Sequence, residues 1–221
     1  MQNQNPPRLT MRDILLSVSE TFNLDRGILR TLRDLLVSPR DFFETYFFRD
    51  RSSYSKPTTL LLLMLAGVTL SCRHFLPATD SYSPNPLLTI TASTQDELRT
   101  LNLIREYDDV LRLLLVPFTS LLSFFLFRKQ AWHFAEHLTF NAYILAVQFF
   151  LMAWLLPLLG HRFDWVAGMA ILVYFLATYL SCMNESRWIT AGKACVIVVC
   201  SNLMFLMAFY PMTLWFLPAK G

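Results

Sequence analysis

The chain has 221 residues, 54% of them hydrophobic and 16% charged, with a formal net charge of +3. Soluble domains carry about a quarter charged residues, so this composition argues against an ordinary water-soluble globule and for a membrane protein. The basic residues lie beside apolar blocks, and no nucleic-acid site is expected among them.

The first ten residues, "MQNQNPPRLT", are polar and proline-bearing, without the apolar core and small-residue cleavage site of a signal peptide. Three short helical patterns follow within 1–56. In "MRDILLSVSETF", Met11, Ile14, Leu15, Val18 and Phe22 recur at helical spacing. In "RGILRTLRDLL", Ile28, Leu29, Leu32, Leu35 and Leu36 form a stripe opposite Arg26, Arg30, Arg33 and Asp34. "SPRDFFETYFF" then opens with Ser38 as expected cap, Pro39 at the first helical position and Asp41 in the first turn. Phe42, Phe43, Tyr46 and Phe47 share one of its faces. Arginine on one side and Leu/Phe on the other suits the membrane interface, with cations among anionic lipids. The same stripes equally suit a small cytosolic cap packed on the ends of membrane spans.

Five apolar blocks fill 57–217: "PTTLLLLMLAGVTLSC", "LLLVPFTSLLSFFLF", "LTFNAYILAVQFFLMAWLLPLLG", "WVAGMAILVYFLATYLSCM" and "ACVIVVCSNLMFLMAFYPMTLWFLP". Each approaches the roughly 17–25 residues a helix needs to cross the hydrocarbon core. The expected fold is therefore all-α, an integral membrane bundle of about five transmembrane helices behind N-terminal amphipathic helices. Between the first two blocks, 77–109 reads as a proline-rich loop and an acidic helix capped by Thr94 and Glu97, running into the second span. Arg112, one turn into that span, is expected to reach outward to Asp108 or Asp109. Pro117, Pro157 and Pro211 are expected to kink their spans. Lysine and arginine concentrate before the first block and in "RKQAWHFAEH" and "NESRWITAGK", while the loop after the first block is acidic. That alternation places the N-terminus in the cytoplasm and the C-terminus outside.

The pattern "HFAEH" matches H-x-x-E-H, in which two histidines a turn apart hold zinc and the glutamate serves as base. His133, Glu136 and His137 are thus the candidate metal ligands, although a working site needs a third ligand and the carboxylates downstream are Asp164, expected outside, and Glu185. The alternative has Glu136 pairing with Arg128 or Lys129 and both histidines lying among headgroups. Phosphate-loop, dinucleotide and nucleophile-elbow glycine motifs are absent from the sequence. Cys72, Cys182, Cys195 and Cys200 make no C-x-x-C pair and read as small packing residues. Asn141, Gln148, Thr178 and Asn202 read as hydrogen-bonding groups between helices.

Three stretches in order, "RTLRDLLVSP", "RSSYSKP" and "AEHLTF", resemble an uncharacterised family of bacterial integral membrane proteins with T-L-x-D-L before a proline, R-x-x-Y-x-x-P and E-H-L-x-F elements. The corresponding positions are Thr31, Leu32, Asp34, Leu35, Pro39, Arg51, Tyr54, Pro57, Glu136, His137 and Phe140. Many members carry an N-terminal zinc ribbon, missing here, and further histidines where this chain has Tyr143 and Leu145. The resemblance implies a bacterial inner membrane location and multi-pass topology, without an activity.

The expectation is a non-enzymatic binding or scaffold module engaging a protein partner, membrane lipids or a second copy, with no cofactor. The alternative is an oligomeric membrane-perturbing effector of a stress or phage-defence system. A transporter and a zinc-dependent membrane enzyme rank below both.

Overall fold

The computed structural model describes residues 27–75, 112–130, 132–159 and 164–216. The described residues form seven α-helices and a short 3₁₀ turn, with no strand among them. The helices are α1 (Gly27–Val37), α2 (Pro39–Phe48), α3 (Pro57–Phe75), α4 (Arg112–Leu126), α5 (Phe134–Leu159), α6 (Asp164–Cys182) and α7 (Arg187–Phe216). The expected helix over 11–22, Arg26 and the loop-helix 77–109 lie outside the described residues.

Among the described residues, Phe134–Leu159 and Trp165–Cys182 are long and apolar enough to cross a membrane, whereas Pro57–Ser71 and Arg112–Leu126 are shorter apolar helices. Two such helices therefore stand where the sequence predicts five spans. The described part of α4 starts only at Arg112, and Arg187 and Lys193 dilute the first two turns of α7.

Direction along the bundle follows from paired contacts. Tyr143 of α5 reaches Ser55 just before α3, and Ser71 donates to the Ala153 carbonyl at 2.7 Å, so α3 and α5 run the same way. Arg112 reaches the Met152 sulfur at 3.8 Å and Ser123 meets His137, which sets α4 antiparallel to α5. Asp108 and Asp109, the expected partners of Arg112, are outside the described residues. Tyr179, near the end of α6, bonds Asn141 near the start of α5, so α6 is antiparallel as well.

The α1–α2 hairpin turns on one residue. Pro39 has no N–H and disfavours helical geometry in the residue before it; Ser38 accordingly sits at φ −141°, ψ 66°, and the helix breaks there. Ser38 occupies the cap position, but its side chain makes no cap hydrogen bond, contrary to the sequence expectation. Ser38 N–H instead closes α1 on the Asp34 carbonyl at 2.9 Å. Gly27 opens α1 against the Tyr54–Ser55 backbone, where an added Cβ would meet Ser55 N at 3.4 Å.

After α2 the chain turns at Asp50. Its carboxylate accepts from Ser52 N–H at 2.8 Å, from the Ser52 hydroxyl at 2.7 Å and from the Ser53 hydroxyl. These bonds, the Ser52 hydroxyl foremost, hold the Asp50 carboxyl at about 2 against an ordinary 3.8. A carboxyl depressed by folding stabilises the turn fully above its ordinary pKa, and that contribution disappears as pH falls toward the folded value. Amide protection of Ser52 should therefore hold down to about pH 4 and decline below it, with Asp50→Asn removing that dependence.

Candidate functional site

The sequence motifs converge where the hairpin meets α3 and α5. Within α1, the Thr31 hydroxyl donates to the Gly27 carbonyl at 2.5 Å and accepts the Ser55 N–H at 3.0 Å. The Ser55 carbonyl accepts from the Tyr143 hydroxyl at 2.5 Å. Thr31, Ser55 and Tyr143 are all buried, so this chain of bonds clamps α1, the start of α3 and α5 together where water cannot compete. The Ser55 hydroxyl itself is buried without a hydrogen-bond partner among the described residues. Ser55→Ala should leave thermal stability within about 0.5 kcal/mol. Thr31→Val, which strands the Ser55 N–H, should cost about 1–3 kcal/mol in the same unfolding measurement.

Beside the clamp, the Tyr54 hydroxyl donates to Asp34 at 3.3 Å, and the Arg30 guanidinium lies over the Tyr54 ring at 5.0 Å and 3.7 Å from Asp34. Burial, and then the Asp34 carboxylate, push the Tyr54 hydroxyl above its ordinary pKa, which keeps it protonated as a donor. Arg51 donates from Nε to the Tyr46 carbonyl at 3.2 Å and from Nη2 to the Phe47 carbonyl at 3.4 Å. It thereby supplies donors to carbonyls at the end of α2 that the helix leaves open. Thr31, Asp34, Arg51 and Tyr54 thus all fasten the hairpin, and Pro39 and Pro57 mark the starts of α2 and α3.

The aromatic face of α2 is turned into the protein. Phe42, Phe43 and Phe47 are buried. Phe42 and Phe43 meet Tyr143 with ring centroids 5.0 and 6.1 Å apart, and Phe43 meets Phe140 at 4.6 Å. Of the two placements the sequence leaves open, the structure puts these rings against the bundle. Tyr46 is half-buried, while Arg30 and Arg33 are exposed.

At the start of α5, "HFAEH" opens the helix. Glu136 accepts the His133 N–H at 2.8 Å, and the His133 carbonyl accepts from the N–H groups of Glu136 and His137. Glu136 is the reach-back residue of a helix cap, satisfying a donor the helix leaves open; it does not pair with Arg128 or Lys129 as the sequence suggested. His133 is exposed. His137 is buried and points the other way, its Nδ1 2.8 Å from the Ser123 hydroxyl of α4. Among the described residues no three His, Cys, Asp or Glu side chains are grouped so as to hold a metal ion. Asn141 extends the buried network, donating to the His137 carbonyl at 2.8 Å and accepting from Tyr179 at 2.8 Å. Asn141 thus bonds between helices as expected, whereas Thr178 and Asn202 bond carbonyls of their own helices. Cys182 and Cys200 are half-buried and Cys195 is exposed, so packing does not account for Cys195.

A cleft of about 350 Å³ lies between the end of α2 and the first turns of α5, lined by Tyr46, Phe47, Arg51, His133, Ala135, Glu136 and Thr139. It unites five residues singled out from the sequence, Tyr46, Phe47, Arg51, His133 and Glu136, from segments more than eighty positions apart. Its volume is near the lower end for small-molecule sites, roughly 300–1,000 Å³. A guanidinium, an imidazole and a carboxylate on its walls suit a small polar ligand. The Ser123–His137 pair has nucleophile–base spacing, but both side chains are buried within the bundle and neither lines the cleft.

These features define a class: an all-helical chain with two helices able to cross a membrane and an N-terminal hairpin clamped to their flank. Residues 25–67 match a family model described as a protein of unknown function, DUF3667. The match takes in α1, α2 and the first half of α3, with the Thr31–Ser55 and Asp34–Tyr54 contacts, and is consistent with an uncharacterised family. No curated protein and no solved structure matches the chain.

Proposed function

We propose that the chain is a multi-pass protein of the bacterial inner membrane, with five spans, a cytoplasmic N-terminus and an external C-terminus, acting as a non-enzymatic binding or scaffold module. The alternating directions of α3 to α6, together with basic and acidic loops that alternate in the same sense, support this threading. The observation that carries the functional reading is the clamp. The residues of the sequence motifs are spent on fastening a hairpin to the bundle and capping its helices, as a rigid platform requires.

Reporter fusions after residues 56, 130 and 186 should read cytoplasmic, and a fusion at the C-terminus external. Membrane potential, followed with a voltage-sensitive dye after induction in a bacterial host, should stay unchanged at high expression. Collapse of the potential with the full chain would instead establish the membrane-perturbing effector.

A further inference from the structure

The outer face of α1 is distinct from the face that the clamp buries. Leu29 is 76% exposed, Val37 74% and Leu36 39%, and Arg33 between them is exposed as well. Positions 29, 33, 36 and 37 fall on one side of the helix, flanked by the exposed Arg30. Asp34, the acidic residue of α1, is turned toward Tyr54 and Arg30. Asp41 and Glu44 are exposed on α2, the latter bonded to Arg49 at 3.1 Å, so the acid-free cationic face belongs to α1.

The depth of attachment identifies what covers this face. The Tyr143 hydroxyl bonds Ser55, which is bonded in turn to Thr31 of α1, and the Tyr174 hydroxyl reaches the Leu35 carbonyl at 3.4 Å. At 1.5 Å per residue, Tyr143 lies about 13 Å along α5 from its start, and Tyr174 about 12 Å from the end of α6. The 26 residues of α5 extend about 39 Å, some 9 Å more than the hydrocarbon core. Even with the whole excess projecting at the start of α5, the level of Tyr143 is inside the hydrocarbon boundary.

From this position we infer that the outer face of α1 is seated at the headgroup–acyl boundary of the same bilayer, with Leu29, Leu36 and Val37 toward the acyl chains and Arg33 on the phosphates of anionic lipids. The inference rests on the membrane reading above. It moves the lipid contact from the aromatic face of α2, which is buried in protein, to the opposite side of the hairpin.

The test uses full-length protein in nanodiscs of phosphatidylcholine with phosphatidylglycerol, carrying a benzophenone amino acid at Leu29, at Val37 or, as control, at Val173, an exposed residue of α6. After illumination, intact mass should show one lipid added at all three positions. At Leu29 and Val37, phosphatidylglycerol should be over-represented, and Arg33→Gln should lower its ratio to phosphatidylcholine about fivefold. A lipid adduct at Val173 with none at Leu29 and Val37 would overturn the inference and leave the membrane reading standing. No adduct at Val173 would overturn both. Crosslinking of Leu29 or Val37 to a second copy of the chain would make the face an interface between copies and would likewise refute the lipid assignment.

Discussion

Replacing Lys193 with methionine should lower the stability of the folded chain by about 3–5 kcal/mol, the cost of leaving a buried charge without its partner. The Lys193 ammonium lies 2.6 Å from Glu185 Oε2, and the Glu185 side chain is only 9% exposed. The same ammonium sits over the Phe127 ring at 5.0 Å, so it ties the end of α4, the loop before α7 and α7 itself. Removing it strands a carboxylate whose other oxygen, Oε1, is already buried without a hydrogen-bond partner among the described residues. For a chain of this size the loss corresponds to about 10 °C in melting temperature, readable by fluorescence-detected unfolding in detergent. The pair is incompletely compensated even when intact, so Lys193→Met together with Glu185→Leu should recover most of the loss. If Lys193→Met melted with the parent protein, the ion pair would have no part in holding α7.

Truncating Phe43 to alanine should cost about 3–5 kcal/mol, the range for a buried phenylalanine. Phe43 is 2% exposed and packs against Phe42, Phe47, Phe140 and Tyr143. The cavity cannot be refilled easily, because the surrounding rings come from α2 and α5 and are held by the Tyr143–Ser55 bond. The loss should fall on the hairpin more than on the rest of the bundle, since α3, α5 and α6 keep their mutual contacts. Trypsin should then cut at Arg49 and Arg51 much faster than in the parent, while the fragment beginning near α3 stays intact. Phe48→Ala, at the neighbouring but exposed position, should change neither stability nor cleavage beyond about 0.5 kcal/mol. Equal cleavage of both variants would mean that the hairpin is held by something other than its aromatic face.

Helices were largely legible from local pattern. Pro39 stopping α1 and starting α2, and Pro57 opening α3, are consequences of a missing N–H and a fixed φ that any neighbourhood would impose. The apolar character of α5 and α6 is likewise a property of their own residues. The site was legible as residues and illegible as roles. H-x-x-E-H is compatible with a zinc ligand set and with a helix cap because both use a turn of helix. The choice depends on which way His137 points, and that is set by Ser123 on another helix. Ser55 carried no sequence signal of its role: a serine whose backbone, and not its hydroxyl, makes the contacts cannot be recognised from side-chain chemistry.

The sequence by itself determined that the chain is helical, unusually apolar, and broken at specific prolines, because backbone propensity and hydrophobic length are local quantities that sum along the chain. It also supplied the amphipathic hairpin, but with two candidate partners for its apolar stripe. Only the tertiary structure decided between them, because burial is a property of neighbours: Phe42 and Phe43 of α2 pack against Phe140 and Tyr143, nearly a hundred residues away, and in doing so leave Leu29, Leu36 and Val37 of α1 on the outside.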